Sequence, residues 1–235
     1  MTDEPSGRVR RARVVFSGHL GDVVTVRSSL EDPDPVVRGS ALGAAARIGI
    51  LAPADLARGL RDSDPDVRTR ACRIAAAHPG ELGESHTALV ERLDDTDPVA
   101  EVACFACGER TDLNDTGTRR LIEIANTHGD PLVREAAVAA IGSLAGLGVL
   151  DRHGLTAAGC DAVIAGGSDI APVRRRAAVA AAAFEGPTVD QLLDRLVTDR
   201  DQQVRQIAED LRAIESPVAW MDRPRPGSGD APGRG

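Results

Sequence analysis

The sequence predicts an all-α protein, an α-solenoid of about six helix pairs preceded by an N-terminal half-repeat. Three observations carry this expectation. The string Asp-Pro-x-Val-Arg, intact or degraded, returns six times: Asp34-Pro35-Val36-Val37-Arg38, Asp64-Pro65-Asp66-Val67-Arg68, Asp97-Pro98-Val99, Asp130-Pro131-Leu132-Val133-Arg134, Ala171-Pro172-Val173-Arg174 and Asp201-Gln202-Gln203-Val204-Arg205. Counted from the second residue of each copy, the steps are 30, 33, 33, 41 and 30 residues. Such a period is too long for one helix and too short for a domain, which marks stacked helix pairs. Finally, 42% of the 235 residues are hydrophobic but only 2% are aromatic, so the core must be built of small aliphatic side chains on closely approaching helices.

Each Asp-Pro pair suits the turn between two antiparallel helices, the Asp as N-cap and the Pro in the first turn, where its missing N–H costs nothing. The helices that follow, called B, are expected at 35–48, 65–77, 98–108, 131–145, 172–184 and 202–215. A first copy without the Asp-Pro signal runs from Val9-Arg10 to Leu20-Gly21 and is expected to cap the N-terminal end. Between the B helices, apolar residues three or four apart predict A helices at 22–30, 53–61, 85–93, 116–127, 156–165 and 187–198, with Pro53 and Pro187 at N-termini and Ser85 as an N-cap. The 41-residue step is assigned to a loop insertion from Gly146 to Gly154. Residues 1–7 are expected to be disordered, 8–216 to form the solenoid, and the Pro/Gly-rich 217–235 to be a disordered tail in which Trp220 either caps the last repeat or recognises a partner.

All 28 basic residues are Arg, the net charge is -8 and the isoelectric point is near 5.2. Phosphate-backbone binding needs a concentrated basic stripe, and the clusters Arg8 to Arg13 and Arg174 to Arg176 are short, so nucleic acid is not the expected partner. The absence of Lys agrees with a high-GC bacterial genome. The opening residues have no apolar signal region and no run approaches a membrane span; the expectation is a cytoplasmic protein, a monomer, with no membrane partner. Four Cys without disulfide-dense spacing suit a reducing compartment.

The strings LEDPDPVVRGSALGAAARIG, LRDSDPDVRTRACRIAAAHPG and HGDPLVREAAVAAIGSLAG resemble HEAT repeats of the phycobilisome-lyase-like subtype, and the chain is similar to actinobacterial HEAT-repeat proteins. The resemblance spans about residues 8–215. It implies that the turn Asp caps helix B while the Arg reaches the neighbouring repeat's turn, a ladder comprising Asp34, Arg38, Asp64, Arg68, Asp130, Arg134, Arg174, Asp201 and Arg205. The fourth repeat departs from it: aligned on Gly108, its Arg position is Ala100, beside Glu101, so this joint is expected to be looser or to present an acidic spot. The whole is expected to form an elongated right-handed superhelix.

Candidate chemistry is sparse. Cys104 and Cys107 form a C-x-x-C, the spacing of a zinc half-site or redox pair, but they stand where sister repeats carry Val138 and Ile141, which reads as core. No His pairs with Glu as in HEAT-type metal hydroxylases, and no nucleophile elbow, P-loop or dinucleotide fingerprint occurs. No catalytic residue, metal or cofactor is implied. On the B helices, the positions one, five and nine after each Arg should line the concave side: Arg11, Val15 and His19; Gly39, Gly43 and Arg47; Thr69, Arg73 and Ala77; Glu101, Phe105 and Glu109; Glu135, Ala139 and Ser143; Arg175, Val179 and Ala183. Phe105, among Arg47, Arg73, Glu101 and Glu109, either anchors a partner there or tilts into the inter-helix core. The function expected is a non-catalytic scaffold that binds another protein through a helix or extended segment. The alternative is a bilin-lyase-like protein holding a prosthetic group or small molecule.

Overall fold

A computed structural model of the chain describes residues 6–78 and 80–215. The described residues hold helices and no strand. The B layer consists of α1 (Gly7–Leu20), α3 (Pro35–Arg47), α5 (Pro65–Ala77), α7 (Asp97–Gly108), α9 (Pro131–Gly146), α12 (Ala171–Ala181) and α14 (Gln202–Glu215). Each packs on the next, while the A layer, α2 (Val23–Ser28), α4 (Pro53–Leu60), α6 (Ser85–Glu91), α8 (Asp115–Thr127), α11 (Thr156–Gly166) and α13 (Pro187–Leu196), lies behind it. This is an α-solenoid with one continuous core threaded between the layers. Its largest fully buried side chains are Leu and Ile, half of them from A helices, while B helices contribute mainly Ala, Val and Cys, with Ile141 and Leu144 from α9.

The small B-layer residues set the stacking distance. A Cβ on Gly18 would stand 2.7 Å from Ala44 Cβ, one on Gly108 would stand 2.8 Å from Ala140 Cα, and one on Gly142 would stand 2.7 Å from Ala180 Cβ. Helices α1/α3, α7/α9 and α9/α12 therefore touch backbone to backbone, as dense packing of short side chains requires. Asp34, Asp64, Asp130 and Asp201 cap the helices that follow, accepting from the N–H groups of Val36, of Asp66 and Val67, of Leu132 and Val133, and of Gln203 and Val204.

The ladder Arg residues do not pair with these capping Asp side chains. They fork onto a different row, two residues earlier: Arg10 to Asp32, Arg38 to Asp62, Arg68 to Asp95, Arg134 to Asp169 and Arg174 to Asp199, each with two N–H···O contacts of 2.7–3.0 Å. A remaining nitrogen of Arg38, Arg68, Arg134, Arg174 and Arg205 donates to a carbonyl of its own repeat's turn. Each Arg thus ties the turn it belongs to onto the next one. At the α7/α9 joint both members are replaced, Arg by Ala100 and Asp by His128, whose Nδ1 accepts from the Asp130 N–H at 3.2 Å. This joint is not looser; the Gly108–Ala140 contact closes it.

Other expectations need correction. The stretch assigned to a loop insertion contains a helix, α10 (Val149–Arg152), because Val149 and Leu150 reach the core, and it is tethered by Arg152 and His153 to the carbonyls of Thr111 and Leu113. Ser85 is the first residue of α6, not its cap: its hydroxyl crosses to the carbonyl of Pro53 at 2.6 Å. Helix α12 stops at Ala181, and Phe184 folds into the core just beyond it. Helix α1 covers α3, while Phe16 and Leu20 on α1 and Val24 on α2 stay exposed at this end of the array. The tail beyond residue 215, with Trp220, lies outside the described residues.

Candidate binding groove

Two hollows open on the exposed face of the B layer, the face expected from the sequence to be concave. The first, about 570 Å³, lies between α7 and α9 and is lined by Glu101, Val102, Phe105, Glu109, Leu132, Glu135, Ala136, Ala139 and Ser143, with Arg73 reaching in from α5 and Arg176 from α12. The second, about 690 Å³, lies between α3 and α5 and is lined by Gly43, Ala46, Arg47, Gly49, Leu51, Arg70, Arg73, Ile74, Ala77 and His78. Arg73 belongs to both and forms the wall between them. Of the stripe positions named from the sequence, Gly39 alone is buried.

Phe105, 54% exposed, lines the first hollow and lies outside the core. Its orientation follows from its neighbours on α7: Ala103, Cys104, Ala106 and Cys107 are fully buried, which turns position 105 to the exposed face of the B layer. Glu101 and Glu109, one helical turn before and after it, flank the ring. Across the hollow, Leu132 is half exposed and Glu135 is engaged by Arg176 at 3.1 Å. Arg47 lies in the second hollow, one helix beyond Arg73. The five residues nominated as a partner site therefore divide between two adjoining hollows, with Arg73 in common.

The cysteines take no part in this surface. Burial pushes the thiols of Cys72 and Cys104 up to about 12, and that of Cys107 well above its ordinary value, so none is a thiolate at neutral pH. Two basic residues escaped the sequence reading. Arg110, buried, pairs with Asp112 and donates to the carbonyls of Ala75, His78 and Gly80, stitching the end of α5 to the end of α7. Arg70 lies across α3 over Gly39 and Gly43; a Cβ on Gly43 would meet its guanidinium. A Gly-x-x-x-Gly on one helix opposite an Arg on the next was the available signal.

The architecture defines a helical-repeat solenoid of the armadillo-like kind. Among solved structures, an engineered protein superposes with a TM-score of 0.60 at 21% identity, over 83% of this chain and 97% of its own. A designed armadillo repeat protein in complex with the peptide (KR)4 superposes with a TM-score of 0.58 at 18% identity, over 80% and 96%. Computationally designed armadillo repeat proteins for modular peptide recognition give 0.54 at 18% identity, over 86% and 98%. At these identities the likeness is one of fold. No protein-family model matches the chain, and no curated protein matches it.

Proposed function

We propose that this chain is a non-catalytic scaffold or adaptor whose concave B-helix groove binds a segment of another protein, helical or extended, with Phe105 as the anchor. Within the helical-repeat class we read the units as HEAT repeats of the phycobilisome-lyase-like subtype, acting as a monomer in the cytoplasm. The observation that carries the proposal is the exposed Phe105 ring inside a hollow, on a protein otherwise nearly without aromatics. A large apolar side chain held open to solvent among charges has the make-up of an interface hot spot, an apolar centre with a polar rim. One designed protein of this fold is in complex with a peptide, and others were designed for modular peptide recognition, which supports peptide binding here. Glu101 and Glu109 on one side, and Arg73 and Arg47 on the other, suit a segment whose apolar residue is flanked by a basic and an acidic one. The prosthetic-group alternative draws support from the hollow's volume, but one aromatic ring offers a flat chromophore a single stacking surface.

Replacing Phe105 by Ala tests the reading. Stability should change by less than about 0.5 kcal/mol, the usual range for a surface site, while affinity for a partner purified by capture on the wild-type chain should fall about 30-fold or more, the 2 kcal/mol of a hot spot. Unchanged affinity in the Phe105→Ala chain would overturn the proposal.

A further inference from the structure

We infer that the α3/α5 hollow is an anion site for a phosphorylated side chain, presented by the same segment whose apolar residue meets Phe105. The inference rests on the groove reading and specifies the acidic element of the bound segment. Three guanidinium groups, Arg47, Arg70 and Arg73, line this hollow, and no Asp or Glu does. None of the three takes part in an ion pair among the described residues, although fourteen other Arg side chains do. In a chain of net charge -8, carboxylates were available nearby, and this hollow has been left without them.

The arrangement is built rather than diffuse. Arg70 rests in the gap left by Gly39 and Gly43, with its guanidinium against Gly43, and the Arg47 guanidinium lies against Gly18, where a Cβ would stand 3.3 Å away. Missing side chains on one helix thus seat the Arg of the next, so less rotamer freedom is lost when a ligand binds. The carbonyl ends of the two helices oppose an anion, and part of that effect is offset by donors already there: Ala44, Ala45 and Ala46 accept from Ile48, Ile50 and Gly49, and Ala75 and His78 accept from Arg110. Three unpaired planar guanidinium groups favour a doubly charged, three-oxygen acceptor over a carboxylate, because each fork can engage a pair of phosphate oxygens. Arg73 forms the wall shared with the Phe105 hollow, which ties the phosphate to the peptide groove and separates it from a free phosphate ester.

The test titrates the full chain, at low salt and about pH 7.5, where a phosphate monoester is a dianion, with N-acetyl-O-phosphoserine amide and N-acetyl-glutamate amide, followed by calorimetry and phosphorus resonance. Phosphoserine should bind saturably and at least about tenfold more tightly than glutamate. Arg70→Gln and Arg73→Gln should each weaken it about tenfold. Gly43→Ala, which keeps every charge but dislodges Arg70, should weaken it severalfold; an unchanged affinity there would show diffuse attraction and overturn the built site. A second arm uses short peptides that place Leu at successive spacings on either side of phosphoserine. At least one should bind more tightly than the capped amino acid and lose that gain in Phe105→Ala. Peptides no tighter than the capped amino acid would reassign the hollow to a free phosphate ester and overturn the phosphopeptide assignment. Peptides that bind equally with serine and phosphoserine would refute the anion site while leaving the Phe105 groove standing.

Discussion

Replacing Arg174 by Ala isolates what the turn-to-turn ladder contributes. Its guanidinium forks onto Asp199 at 2.7 and 2.8 Å and donates to the Asp169 carbonyl at 2.7 Å, and the two side chains are only 7% and 10% exposed. Removing it leaves the Asp199 carboxylate shielded from water with one backbone donor, the N–H of Asp201. Breaking a buried pair from one side costs about 3–5 kcal/mol, and losing a single hydrogen bond to a charged group about 1.5–3 kcal/mol. With some exposure and one donor retained, the expected loss is about 2–4 kcal/mol. The exposed pair Arg58–Glu31, 51% and 76% accessible, is the control, worth about 0–1 kcal/mol; it is broken from the Glu31 side because Arg58 also pairs with the shielded Asp55.

Urea unfolding followed by circular dichroism on wild type, Arg174→Ala, Asp199→Ala, the double variant and Glu31→Ala gives the comparison, with the slope on urea reporting whether the end repeat unfolds separately. A loss for Arg174→Ala no larger than that for Glu31→Ala would refute the role given to burial. The pair also fixes a pH signature. Hydrogen bonding from Arg174 holds the Asp199 carboxyl below its ordinary value, so the folded-state pKa lies under the unfolded one. The stabilisation is then complete above the unfolded value of about 4 and is lost as pH falls through the folded one. The gap between wild type and Arg174→Ala should therefore be level from neutral pH to about 4 and close below it; closure on the alkaline side would contradict the assignment.

Gly108→Ala should cost about 1–3 kcal/mol by urea unfolding despite the better helix propensity of Ala, since its Cβ would meet the Ala140 backbone at 2.8 Å. Gly146→Ala, at the end of α9 with open space around it, should be neutral or stabilise by up to about 1 kcal/mol. In native alkylation at about pH 8 read by mass spectrometry, Cys160 should react while Cys72, Cys104 and Cys107 stay protected by burial. All four should react in denaturant, and native labelling of Cys104 would contradict its place in the core.

What was legible in the sequence was whatever repeats. The Asp-Pro turn, or its degraded form with one of the two residues, marked six of the seven B helices to within a few residues, because capping and Pro placement are local and act alike in each copy. The acceptor row Asp32, Asp62, Asp95, Asp169 and Asp199 carried a signal too, an acid two residues ahead of the capping position, but one acid per turn satisfied the motif and the second passed as solvated charge. The short helix α10 was hidden by the three Gly around it, since nothing local announces that Val149 and Leu150 meet the core. The orientation of Phe105 depends on which face of α7 its neighbours bury, and a lone Phe in an apolar stretch fits either face until the array is assembled. The arginine hollow belongs to no repeat: Arg47, Arg70 and Arg73 come from two helices, and Arg47 and Arg70 are seated against glycines on the helix that precedes each of them.

The missing rung at the α7/α9 joint sharpens this contrast between repeated and singular features. An Arg at position 100 facing His128, or an Asp at 128 facing Ala100, would put a shielded charge opposite no partner, which is the arrangement that costs most. Loss of one member is therefore tolerated only with loss of the other, and in this chain both are gone. The α7 helix keeps its charge elsewhere, in Glu101 and Glu109 beside Phe105, so at this joint the ionic groups serve the exposed face of the B layer instead of the turn. If that account holds, Ala100→Arg and His128→Asp should each lower stability, and the double variant should recover most of the loss by rebuilding a fork like that of Arg68 on Asp95. The coupling between the two should be about 1–3 kcal/mol in a double-mutant cycle. Additive losses would mean that packing around Ala100, fully buried here, forbids the Arg regardless of its partner, and that the rung was given up for room.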